Sequence, residues 1–135
     1  MKQTLVASAF IRKGDQFLLI YDPKFRFWRV PGGRIEANET GEKTVEREMF
    51  EELGCKVKVI RFIGEAEDNV LIYKSSDPQK RFRKLYYYEC EILEGIPHAK
   101  QPWEIADMNW LTINEIKKID NLEPGMKHLF LSSFN

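Results

Sequence analysis

The sequence predicts an α+β domain of the layered α/β/α kind. Two observations carry that expectation. Short β-prone runs bounded by turn residues come before and after one amphipathic helical window, and helical runs close the chain, giving the order strands, helix, strands, helix. The 135 residues suit one core, so a single domain over residues 1–135 is expected.

The first apolar run, Leu5 to Ile11, and the second, Phe17 to Ile20, are separated by Lys13-Gly14-Asp15, a turn signal, and read as a hairpin. Asp22-Pro23 ends the second strand. Trp28 to Val30 leads into Pro31-Gly32-Gly33, a stiff residue followed by two permissive ones, which predicts a tight functional loop. From Thr40 to Leu53 the period becomes helical. At about 100° per residue, Val45, Met49, Leu53 and Phe50 fall within about 140° of arc and predict a core-facing stripe. Asn38 or Thr40 can cap its start, and Gly54 can close its end. Further strands are expected at Val57 to Ile63, Val70 to Tyr73, Phe82 to Ile92 and Met108 to Leu111, with a loop at Ser75-Ser76-Asp77-Pro78. Short helices are expected at Thr112 to Ile119 and Gly125 to Ser133.

Hydrophobic residues make up 43% and charged residues 31%, an ordinary globular balance. Lys plus Arg equals Asp plus Glu at 21 each, so the zero net charge gives no global pull toward nucleic acid or an anionic membrane. Cys55 and Cys90 lie in apolar surroundings without ligand spacing and read as reduced core thiols. Ala7-Ser8-Ala9 mimics a signal-peptidase site, but the apolar run before it is far too short for a secretory signal, and no stretch is long enough to span a bilayer. A cytoplasmic protein is the expectation.

The helical window is locally unfavourable in one respect. Glu48, Glu51 and Glu52 lie within about 100° of one face, at i,i+3 and i,i+4 spacings that repel. They also sit at the negative end of the helix dipole. A divalent cation would reverse both penalties, and Mg²⁺ is the hard, oxygen-seeking candidate. A solvated acidic face is the plainer reading of three glutamates taken alone.

The surroundings decide between these readings. Gly33 is followed by Glu39, then Arg47, Glu48, Met49, Glu51, Glu52, Gly54 and Cys55: nine specified positions over 23 residues that match G-x5-E-x7-R-E-U-x-E-E-x-G-U, with U apolar. The chain thus resembles the Nudix (MutT-type) hydrolases. The box covers about a sixth of the chain, and Pro31, Gly32 and Glu36 also look like the family. Asn38 stands where glycine is frequent and Cys55 where Ile, Leu or Val is usual. Asn tolerates left-handed backbone, and Cys packs as a small hydrophobe.

The resemblance implies a mixed-sheet α/β/α sandwich with a loop–helix–loop catalytic motif, and Mg²⁺ as cofactor with Mn²⁺ as a substitute. Metal ligands would come from Glu51 and Glu52, Glu48 directly or through water, and the Gly32 carbonyl. Arg47 would orient a carboxylate, and Glu39 would hold the loop to the helix. Glu104, six residues before Trp110, fits the extra ligand or general base that the family carries in a late loop; Glu48 is the first choice of base. The chemistry implied is substitution by water at phosphorus in a nucleoside diphosphate derivative.

Residues outside the box would select the substrate. Lys80 to Lys84 and Tyr86 to Tyr88 mix cations with aromatics, so Arg81 and Arg83, with Arg34 and Trp28, are candidate substrate contacts, although an alternating strand with one wet face explains the run equally. Trp103 and Phe27 could stack on a base or belong to the core. Val70 stands where many ADP-ribose hydrolases of the family carry proline, and Tyr73 stands where some dinucleoside polyphosphate hydrolases carry tyrosine. The upstream signature of the coenzyme A hydrolases is missing. The expected order is nucleoside triphosphates (oxidised or non-standard ones included), then dinucleoside polyphosphates, then nucleotide sugars. A non-catalytic nucleotide sensor and an acidic interaction module are the readings from other classes. The resemblance makes a homodimer plausible.

Overall fold

The computed structural model describes residues 2–133; Met1, Phe134 and Asn135, the ends of the expected domain, lie outside the described residues. The strands are β1 (Thr4–Lys13), β2 (Gln16–Asp22), β3 (Phe27–Arg29), β4 (Gly32–Arg34), β5 (Lys56–Ile72), β6 (Gln79–Glu94) and β7 (Asp107–Thr112). The helices are α1 (Gly41–Leu53), α2 (Ile113–Lys117) and α3 (Pro124–Ser133).

The sheet is mixed. β1 runs parallel to β6, from Thr4↔Arg83 to Ile11↔Cys90, and antiparallel to β4 on its other side. Its far end forms the hairpin with β2, which pairs with β3 and β7. Both faces of this sheet are covered, which explains why its central strands are apolar runs rather than alternating ones. On one face Ala7, Ala9 and Ile11 of β1 meet Val45, Met49 and Leu53 of α1. On the other, Phe10, Phe17 and Leu85 meet Ile116 of α2 and Met126, Leu129 and Phe130 of α3. The expected layering is therefore present, with α1 on one side and α2 and α3 on the other.

Local signals set the ends of α1. The Thr40 hydroxyl accepts from the Lys43 N–H, so Thr40 is the N-cap. Gly54 takes φ 67° and its N–H donates to Phe50 O, the bond of an αL helix ending, and the Cys55 N–H donates to Met49 O. Asn38 takes φ 64°, the left-handed conformation expected where glycine is frequent. Both cysteines are buried and free.

Four expectations change. The separate runs at Val57 and Val70 are one 17-residue strand, β5, with register shifts near its start. Gly64-Glu65 reads as a break, yet Ala66, Asp68, Val70 and Ile72 keep a buried face with period two, one member of which is charged. Phe50 is 62% exposed, because it sits at the edge of the stripe, beyond the sector that the sheet covers. Gly32 and Gly33 lie on strand β4 rather than in a turn, and neither has positive φ. The helix expected over Thr112 to Ile119 is the five residues of α2, with Thr112 as its cap in a capping box with Glu115.

Candidate active site

A cleft of about 750 Å³ opens where β4, the second half of α1 and the loop before β7 meet. Glycine shapes its wall through contact, not turn geometry. A Cβ on Gly33 would enter the Glu48 carboxylate, and one on Gly32 would lie 2.7 Å from the Ser8 Cα. The absent side chain of Gly33 lets the strand lie against the acidic helix face, and that of Gly32 lets it lie against β1.

Arg47 organises the motif. Its Nε and Nη2 donate to the two oxygens of Glu39 at 2.8 and 3.0 Å, Nη1 donates to Glu48 at 2.9 Å and Glu51 at 3.3 Å, and Nη2 also reaches the Arg34 carbonyl at 3.1 Å. Glu39 further accepts from the Thr44 hydroxyl at 2.6 Å and the Glu36 N–H at 3.1 Å. Hydrogen bonds from Arg47, then Thr44 and Glu36, hold the Glu39 carboxyl down at about 2. The loop is thus fastened to the helix by one guanidinium that grips a structural carboxylate and steadies two facing the cleft.

Glu52 has the opposite surroundings. Its Oε2 is buried and has no hydrogen-bond partner. Burial first, then the Glu48 charge and a hydrogen bond that only the protonated Glu52 can donate to Glu48, hold its carboxyl above the usual carboxylate range; Arg29 partly opposes them, and Glu104 adds to them. An ionised Glu52 beside Glu48 calls for more positive charge than Arg29, bound to Asp22, supplies. The donors are all oxygen, which suits Mg²⁺. Among the described residues no group of three such side chains is already gathered to hold a metal. The pair Glu48 and Glu52, with Glu51 on the rim and Glu104 across the cleft, leaves positions for water and phosphate oxygens, as Mg²⁺ normally requires.

The expected residues are distributed unevenly around this pair. Gly32, Arg34, Arg47, Glu48, Glu51, Glu52, Arg81, Arg83 and Glu104 all line the cleft. Arg83 does so with its guanidinium already engaged: it donates to Asp68 at 2.9 and 2.8 Å and to Glu123 at 3.1 Å, with its side chain 4% exposed. Trp28 is not among the lining residues. Period-two alternation on β3 turns Arg29 toward the cleft and Trp28 to the other side, where it packs against the α3-side core and edge-on to Tyr21 at 5.6 Å. Phe27 is 8% exposed and stacked on Phe25, which itself reaches the cleft. Trp103 is 72% exposed and lines a smaller pocket with Tyr73, Lys24 and Glu104.

Several cleft residues had no sequence signal. Arg29 donates twice to Asp22, at 3.0 and 2.9 Å, and is the cation nearest in effect to Glu52. Lys24 stands 4.0 Å from Asp22, and burial lowers its pKa. Glu123 accepts from Tyr87 at 2.6 Å as well as from Arg83. Phe50, expected in the core, lies on the cleft rim with Lys100 over its ring at 5.5 Å.

Comparison with known proteins agrees with this geometry. The chain is 28% identical over 113 residues to a MutT-like protein of Streptomyces ambofaciens, covering 84% of this chain and 66% of that protein. It is 45% identical over 56 residues to the NAD-capped RNA hydrolase NudC of Vibrio parahaemolyticus, covering 40% of this chain and 22% of that one. The chain therefore spans just under two thirds of the length of the first relative and about a fifth of the second. Its fold superposes on the crystal structure of a MutT NUDIX hydrolase from Burkholderia pseudomallei with a TM-score of 0.80 at 20% identity over the whole of both chains. The NUDIX domain model matches residues 2–132, and with the box residues assembled around one cleft, the chain belongs to the NUDIX family.

Proposed function

We propose that this chain hydrolyses the phosphoanhydride of a nucleoside polyphosphate, with a nucleoside triphosphate as the substrate and Mg²⁺, replaceable by Mn²⁺, as the cofactor. The observation that carries the reading is the donor-starved Glu52 beside Glu48 at the floor of a cleft that also holds cations. The Gly32 carbonyl, Glu48, Glu51, Glu52 and Glu104 are the candidate ligands. When bound, the metal neutralises diphosphate oxygens and acidifies water.

The chain's own residues do the rest. Glu48, steadied by Arg47, takes the proton of the attacking water. The water oxygen forms a bond to phosphorus while the bridging P–O bond breaks, and the electron pair leaves with the bridging oxygen onto pyrophosphate. Glu104, on the loop facing this pair, is the second candidate for the proton. Arg34 and Arg81 hold phosphate oxygens. Arg83, with its bonds committed to Asp68 and Glu123, shapes the floor beneath them.

One observation favours a second reading, a dinucleoside polyphosphate. Tyr73 and Trp103 border a pocket that shares Lys24 and Glu104 with the main cleft, which would give a second base a stacking surface. Incubation with Mg²⁺ and a panel of triphosphates, dinucleoside polyphosphates and nucleotide sugars separates the two. Release of a monophosphate and pyrophosphate from a triphosphate, abolished by chelator, is the expected result. No turnover across the panel, with tight metal-dependent nucleotide binding, would replace the enzyme by a sensor.

A further inference from the structure

Two arginines in the cleft have no counter-charge among the described residues. Arg34 on β4 and Arg81 on β6 both line it, and neither side chain has an ion pair or hydrogen bond among the described residues. The carboxylates that could serve them are taken. Glu36 pairs with Arg47 at 3.7 Å, and Asp68 and Glu123 are held by Arg83. Arg81 is close enough to Arg34 and Arg83 for their charges, after burial, to lower its pKa.

The register explains why they meet. Arg34 is paired with Val6, and Thr4 with Arg83, so β1 lies between β4 and β6, and period two puts Arg34, Thr4, Val6, Arg81 and Arg83 on one face. The outer strands are two strand spacings apart, about 10 Å, and Arg81 stands four residues along β6 from Leu85, the residue across β1 from Arg34, so the two arms approach each other diagonally. β1 fills that gap with the short side chains of Thr4 and Val6, both of which line the cleft. Two long guanidinium arms therefore reach over a low floor made by Thr4 and Val6. Like charges placed this way cost stability unless an anion sits between them.

We infer that Arg34 and Arg81 form a clamp for the phosphoryl groups beyond the scissile anhydride, so that the site selects a substrate whose leaving group is pyrophosphate rather than a sugar phosphate. This rests on the hydrolase reading but is separable from it, because the clamp should bind inorganic pyrophosphate without metal or turnover. A bidentate guanidinium–phosphate contact is charge-assisted and worth about tenfold or more in affinity.

The test is calorimetric titration of inorganic pyrophosphate into the metal-free full chain at fixed ionic strength. Arg81→Ala and Arg34→Ala should each weaken binding about tenfold or more. Lys80→Ala, on the same strand but the opposite face and equal in charge change, should leave it within about twofold. In Mg²⁺ assays, the arginine variants should raise KM for a triphosphate about tenfold or more and leave KM for a nucleotide sugar unchanged. Equal weakening by Lys80→Ala, or wild-type binding retained in both arginine variants, would overturn the clamp. If wild type turns over nothing yet binds pyrophosphate through these arginines, the hydrolase reading fails and the clamp stands.

Discussion

The two ends of α1 treat their carboxylates in opposite ways. Before its first turn, Glu39 accepts four hydrogen bonds, from Arg47 twice, Thr44 and the Glu36 N–H, and its carboxyl is held at about 2. In the last turn, Glu52 has a buried oxygen with no donor and is pushed the other way, by burial first. The same side chain is structural where donors are abundant and, on the function proposed above, a ligand where they are withheld. Arg47 divides the two regions, since it gives Glu39 two hydrogen bonds and Glu48 one.

Four variants bear on this contrast. Glu52→Gln has the largest expected effect. Turnover should fall on the order of a thousandfold, as the loss of a metal ligand implies. The metal-free protein should be no less stable to heat, because burial and the Glu48 charge already hold the Glu52 carboxyl protonated there, and the neutral amide can likewise donate to Glu48. Mg²⁺ should raise the melting temperature of the wild type and not of the variant; an equal rise in both would remove Glu52 from the metal site. Gly33→Ala comes next. The added methyl meets the flexible end of Glu48, so the fold should survive while kcat falls by about a hundredfold through displacement of that carboxylate. Unchanged kcat would show that Glu48 needs no fixed position.

Glu39→Gln should act on stability before activity, and its effect should depend on pH. The folded carboxyl titrates at about 2 against about 4.5 unfolded. Its contribution is complete above pH 4.5 and is lost as pH falls from there toward 2, so the variant should be less stable than wild type at pH 7 and converge with it in acid. Parallel acid-unfolding curves for the two proteins would refute the assignment. Thr40→Ala, at the cap, should cost about 1 kcal/mol by urea unfolding and leave kcat unchanged.

What the sequence made legible follows from where its signals lie. The box residues, the Thr40 cap, the left-handed Asn38 and the Gly54 ending are local patterns, and each appears in place. Gly32 and Gly33 were visible as special but for the wrong reason, because close approach leaves the same trace in a sequence as a turn does. Phe50 was misread because a stripe's edge depends on how wide the covering sheet is. Trp28 was misplaced because a three-residue strand gives too few positions to fix its alternation. The pairs Arg29–Asp22 and Arg83–Glu123 were invisible, the second joining residues 40 apart that no periodicity links. Arg83 looked like Arg81 in the sequence; only the carboxylates behind it distinguish a fixed floor from a free hand.

The parallel pairing of β1 with β6 also bears on timing. It joins residues 4–11 to residues 83–90, a long-range contact of the kind that folds slowly. The acidic helix and both glycines lie wholly within the stretch between those partners. A nascent chain would present every residue of the box long before β6 arrives to complete the sheet beneath it. The cleft should therefore be complete only once β6 has paired with β1, late in folding.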